Sequence, residues 1–166
     1  MGLKDWPTTA FPGVAMNPRT LLLEVVDEEA CAAALEASVD AADHVFVLLA
    51  RGLNNEAAEV AAEARLLDPE SLTLQILDAE VLRATKHYDR AEVVLRSLLP
   101  AVQGSALEAL AIHDLGKVQF SKGNYDAAAK TFSAALAHRV ANGAGAADIY
   151  ASTVALNRAL DLAESS

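Results

Sequence analysis

An all-α fold of antiparallel helix hairpins stacked one on the next is what this sequence predicts, and three observations carry it. Alanine, leucine and valine dominate a chain that is 53% hydrophobic but only 5% aromatic, a mixture that favours closely packed helices over sheets. Helix-length stretches follow one another from residue 27 onward, separated by glycine, proline and asparagine. Small residues recur at a near-constant interval: Ala57 and Ala91 lie 34 residues apart, Ala91 and Ala128 lie 37 apart, and each falls early in the second helix of a pair. At 166 residues the chain can bury a core without disulfides or a metal ion.

Residues 1–26 read as a partly irregular N-terminal arm, because Pro7, Pro12 and Pro18, with Trp6 and Phe11, precede any long helical pattern. Asn17-Pro18 is able to open a short helix, proline being suited to the first helical position, while Leu21-Leu22-Leu23-Glu24-Val25-Val26 suits an extended segment equally well. A helical domain then spans 27–163. Asp27 is placed to cap a helix over 27–37, with Glu28 and Glu29 in its first turn. Further helices are expected over 39–51, 55–67, 71–85, 88–99, 105–122, 125–140 and 147–163. The breaks between them are Gly52, Asp68-Pro69, Pro100 with Gly104, Gly123-Asn124, and Asn142-Gly143 with Gly145.

These helices pair into units over 38–69, 72–103 and 109–141. The longer second interval puts about three extra residues near 102–105, an insertion that loop-closure entropy tolerates. Each unit leaves an apolar face that only a neighbour covers, so the ends need caps. The helix over 27–37 serves one end and the segment 146–163 the other, with Ile149, Thr153, Leu156 and Leu160 as its inward stripe.

The turn between paired helices has a physical logic. Gly123 ends one helix in the left-handed conformation, Asn124 caps the next, and Ala128 lets the two backbones approach. Tyr125 and Phe132, seven apart, fill the space between that helix and its neighbours. The run Leu115-Gly116-Lys117-Val118-Gln119-Phe120-Ser121-Lys122-Gly123-Asn124-Tyr125-Asp126-Ala127-Ala128, continued by Phe132, Ala135 and Leu136, closely resembles the tetratricopeptide repeat. A second unit resembles it through Ala79, Tyr88-Asp89-Arg90-Ala91 and Leu95, with Asp78 and Lys86 where the family has leucine and glycine. A first, weaker unit rests on Gly52, Ala57, Ala64 and Asp68-Pro69, with His44 and Asn54 replacing a leucine and an aromatic.

The resemblance implies a right-handed superhelix, a tetratricopeptide-like α-solenoid, whose first helices line a concave groove. The family's ligand-facing places fall on Ala42, Phe46 and Leu49, then Ile76, Glu80 and Arg83, then His113, Lys117 and Phe120. Such a groove suits an extended or helical peptide with a few apolar anchors; Phe46 and Leu49 fit a core covered by the N-terminal helix as well as a groove. Some members grip a C-terminal carboxylate with lysine, asparagine and arginine. Here the matching places hold Ala42, Phe46, Leu77, Leu110 and Asp114, so that clamp is not expected.

Chemistry has little to stand on. The 23 acidic residues outnumber 13 basic ones, and a net charge of -10 argues against a nucleic-acid partner. The basic run Arg83, Lys86, His87, Arg90 and Arg96 is broken by Asp89 and Glu92 and reads as a solvated turn. His44, His87, His113 and His138 show no metal-ligand spacing, and Cys31 follows two glutamates that disfavour a thiolate, so it reads as a small buried hydrophobe. There is no nucleophile-elbow, phosphate-loop or dinucleotide motif, and Gly143-Ala144-Gly145 follows a helix and reads as a hinge. No catalytic residue, cofactor, metal or enzyme activity is therefore expected.

No apolar run is long enough to span a bilayer, and the N-terminal residues lack a signal-peptide core. A cytoplasmic protein without membrane partners is the expectation. Three roles fit: an adaptor or scaffold holding a peptide or protein segment in its groove, a small acidic secretion-type chaperone, or a self-associating regulatory element, a homodimer among its forms, with Trp6 and Phe11 of the arm in its own or a sister groove.

Overall fold

A computed structural model describes residues 2–166 of the chain. Within them, a single turn of 3-10 helix (Leu3–Asp5) leads into two short strands, β1 (Val14–Met16) and β2 (Leu23–Val25). Eight helices follow: α1 (Glu28–Ala37), α2 (Ala41–Ala50), α3 (Asn54–Leu67), α4 (Leu72–Ala84), α5 (Tyr88–Val102), α6 (Glu108–Ser121), α7 (Tyr125–Ala141) and α8 (Ala146–Glu164). Side chains set several starts: Asp27, Asp40 and Ser71 accept hydrogen bonds from the amides of Ala30, Ala42 and Leu74.

The turn repeats as well as the sequence. At Gly52, Lys86, Gly123 and Gly143 the chain turns left-handed, with φ of 75°, 65°, 82° and 66°. In each case the next residue's amide reaches back to a carbonyl five positions earlier: Leu53 to Leu48, His87 to Leu82, Asn124 to Gln119 and Ala144 to Arg139. The first three of these turns stand 34 and 37 residues apart, the interval of Ala57, Ala91 and Ala128, all three of which are fully buried.

Consecutive helices pack on one another from α2 through α8, and α2 also touches α4, α4 touches α6 and α6 touches α8, so the even-numbered helices form an inner layer. Apolar clusters step along the stack. Val45, Leu49, Ala57, Ala61 and Val81 join α2, α3 and α4; Ile76, Ala79, Ala91, Leu95, Leu98, Val102, Ala111, Leu115 and Val118 join α4, α5 and α6. At Gly116 a Cβ would lie 2.6 Å from the Phe132 ring, so α6 and α7 meet at a distance only glycine permits. From His113 to Phe120 every residue of α6 is buried, which makes it the central element.

Of the two alternatives left open for the segment from Pro18, the chain takes a turn over 18–20 and then a strand: β1 and β2 pair antiparallel with Val14 opposite Val25 and Met16 opposite Leu23. Three details depart from the sequence reading. Helix α5 runs through Pro100 to Val102, because in the last turn the missing N–H sacrifices one bond while Val102 and Leu98 gain burial. Asn124 occupies the cap position of α7, but its side chain makes no capping bond. In α8 the inward stripe is Ser152, Val154, Ala155 and Ala159, whereas Leu160 is 43% exposed; small residues there let α8 lie close against α7.

Candidate functional site

The nine positions singled out on the first helices lie on α2, α4 and α6, and few of them meet solvent. Ala42 and Phe46 are half-buried and Leu49 is buried. Phe46 packs beside Val14, Cys31, Val47 and Ala50, and its ring faces Phe11 at 6.4 Å. Leu49 and Ile76 belong to the apolar clusters between helices. Glu80, Arg83, His113, Lys117 and Phe120 are all buried.

Of these, Arg83 and Phe120 are covered by the N-terminal hairpin. Met16 and Leu21 share an apolar cluster with Phe120, Phe132, Val154 and Ala159, so the hairpin's loop meets α6, α7 and α8 together. Arg83 Nη2 donates to the backbone carbonyls of Leu21 at 2.7 Å and Thr20 at 3.4 Å. At the far end, Arg158 Nε donates to the Arg19 carbonyl at 3.2 Å and the Tyr150 hydroxyl to the Asp5 carbonyl at 2.7 Å. The N-terminal segment thus crosses the inner layer from α2 to α8.

Beneath it lies a buried ionic network. Arg83 donates to Glu80 Oε1 at 2.6 Å and to Ser121 Oγ at 2.9 Å, while Lys117 Nζ lies 3.0 Å from both Glu80 Oε2 and Asp114 Oδ1. Among the described residues Glu80 Oε2 receives no well-directed hydrogen bond and has Lys117 Nζ as its near charge; Gln119 Oε1 is also buried without a donor. Burial pushes the Glu80 carboxyl up, but Lys117 and Arg83 together outweigh it and bring it to about 2. Asp114 goes the other way: burial raises it, Lys117 compensates only in part, and the Glu80 charge adds to the rise.

A second polar group adjoins the first on the α8 side. Arg139 Nη1 donates to Ser152 Oγ at 2.7 Å and to the Asp148 carbonyl at 2.8 Å, and Ser152 Oγ lies 3.3 Å from His113 Nδ1. Burial, followed by the charges of Lys117, Arg139 and Arg83, holds His113 well below the ordinary histidine range, so its ring is neutral. The partners of Arg139 here are a hydroxyl and a backbone carbonyl, not a carboxylate.

Arg83, Glu80, Lys117 and Phe120 are brought together on one surface; Ala42, Leu49 and Ile76 lie apart from it. Ser121, Arg139 and Ser152, and above all the carbonyls of Thr20 and Leu21, were not anticipated. The triple leucine at 21–23, an apolar run with no helix to join, was the one available signal. In the basic run, Arg83 is interior and Arg96 pairs with Glu92, which leaves Lys86, His87 and Arg90 on an open cleft of about 670 Å³. Cys31 is fully buried, and burial raises its thiol. Among the described residues no cluster of His, Cys, Asp or Glu is built to hold a metal, and no helix is long and apolar enough to cross a membrane. Compared with protein-family models, curated proteins and solved structures, the chain matches none.

Proposed function

We propose that this chain is a cytoplasmic protein-interaction module of tetratricopeptide-repeat type, a right-handed stack of helix hairpins whose concave inner face holds a polypeptide segment and performs no chemistry. The observation that carries this reading is the way the inner helices already handle a polypeptide. Arg83 takes two successive backbone carbonyls while the Leu21 side chain between them sinks beside Phe120 and Phe132. Main-chain bonds from a fixed donor together with an apolar anchor are what recognition of a polypeptide segment requires. The recurring left-handed turns, 34 and 37 residues apart, support the family reading.

Self-association is the second reading, and it is favoured by the fact that the occupying segment belongs to this chain: a hairpin that fits its own inner face fits that of a second copy. A peptide display selection against the full chain tests the first. Binders are expected to protect α2, α4 and α6 from hydrogen exchange while deprotecting residues 14–25. Binders that protect only α3, α5 and α7 contradict it, and a concentration-dependent dimer in sedimentation, with no selected binders, favours the second.

A further inference from the structure

We propose that the N-terminal segment is a latch: residues 3–26 release from the inner helices as a unit while α2 to α8 stay folded, uncovering Arg83 and Phe120. The purpose of the latch rests on the reading of the inner face as a binding surface, but its opening is measured without any partner.

Three observations point to it. First, Leu21 is held at φ 56°, a left-handed conformation that a leucine adopts only when its surroundings impose it. That strain sits on the residue whose carbonyl is caught by Arg83. Second, the bed under the hairpin is charged. Opening returns water to the Arg83 guanidinium, relieving a desolvation cost that an apolar bed would not carry.

Third, the hairpin has only two strands of three residues each, too few to persist once off the helices, so release gains chain entropy. One contact with α1 has to break for the hairpin to leave: the Gly13 carbonyl accepts from the amides of both Val26 and Asp27, and a Cβ on Gly13 would lie 2.3 Å from the Asp27 carbonyl oxygen. The interactions that oppose opening are the Leu21 and Met16 side chains, the packing of Val14 and Phe11 against Cys31, Val47 and Phe46, the Arg83 catch, and the bonds from Arg158 and Tyr150.

The molecule carries its own reporter. Cys31, the single cysteine, is fully buried with Val14 over it and Gly13 against its backbone, so release of the hairpin exposes its thiol. The test is the rate of Cys31 modification by an aromatic disulfide reagent in the full chain, over a urea series below the unfolding transition. The latch predicts labelling at least tenfold faster than global unfolding allows, with a shallow urea dependence. Arg83→Lys, which keeps the charge but not the forked donor, is expected to accelerate it about tenfold, and Tyr150→Phe, remote from the ionic network, a few-fold, with helical circular dichroism unchanged.

Labelling that tracks global unfolding, with the same urea dependence in all three proteins, overturns the latch and makes the hairpin part of the core. Fast labelling that neither substitution alters also overturns it, because Cys31 is then reached by fraying of α1. A latch confirmed in a protein for which no peptide is ever selected leaves the device standing and the binding function refuted.

Discussion

At Gly116 and Lys86 the repeat imposes opposite demands on single residues. Gly116 faces the fully buried ring of Phe132 with no space for a methyl group. Gly116→Ala is therefore expected to lower stability by about 1–3 kcal/mol in urea unfolding, with part of the loss recovered on adding Phe132→Leu. Lys86 occupies the left-handed turn position that glycine fills at 52, 123 and 143. Its αL penalty of about 1–2 kcal/mol is offset in part by the greater unfolded-chain entropy of glycine, so Lys86→Gly should raise stability by roughly 0.5–1 kcal/mol. An unchanged urea midpoint in that variant would mean the turn is relaxed with lysine. The Lys86 departure from the family pattern was visible in sequence; that it carries strain follows only from its backbone angle.

Helix α6 is the element where burial and charge meet, and its pH response has a definite sign. His113 on α6 is faced by Lys117 on the same helix, Arg83 from α4, Phe132 and Arg139 from α7 and Ser152 from α8. Because its folded pKa lies below the unfolded value near 6.5, the unfolded chain binds a proton that the native state refuses once pH drops below about 6.5. Stability then falls with pH by at most about 1.4 kcal/mol per unit. Asp114, raised by burial, acts oppositely: its native state keeps a proton that the unfolded chain has lost, so its share of stability declines as pH rises above 3.8. Comparing urea midpoints at pH 7.0 and 5.5 in the native protein and in His113→Gln isolates the histidine; the variant is expected to lose less stability on acidification, and an identical loss would contradict a neutral buried ring.

The hairpin is the element that sequence reasoning left open between helix and strand. Its two strands of three residues are too short to show alternation, and what fixes them lies outside the segment, in α2, α4, α6 and α8. The same holds for the site. Arg83, Glu80 and Lys117 are legible as residues on facing turns of the first helices. Their burial is not, since periodicity says which residues share a face and nothing about what covers it.

On the scale of the whole molecule, the helix order was legible because one interval governs both the small residues and the turns. Each hairpin needs its neighbours, and the apolar clusters step from α2 to α8 accordingly. The N-terminal segment breaks that nearest-neighbour logic by tying Asp5 and Arg19 to α8 and Phe11 to α2. A stack of local contacts is thereby given a long-range brace, and the inner face is given an occupant. Trp6, the only tryptophan, lies in that segment and offers a direct optical handle on it.

The central claim, that the inner face is a polypeptide-binding surface held by the chain's own N-terminus, is tested most directly by separating the two. Residues 27–166 would be expressed alone and titrated into a synthetic peptide of residues 2–26, following Trp6 fluorescence anisotropy. The account predicts that the truncated chain keeps its helical circular dichroism and binds the peptide saturably at one to one, with affinity reduced at least tenfold by Arg83→Lys. A helical truncated chain that does not bind the peptide, or a truncated chain that loses its helices, would contradict it.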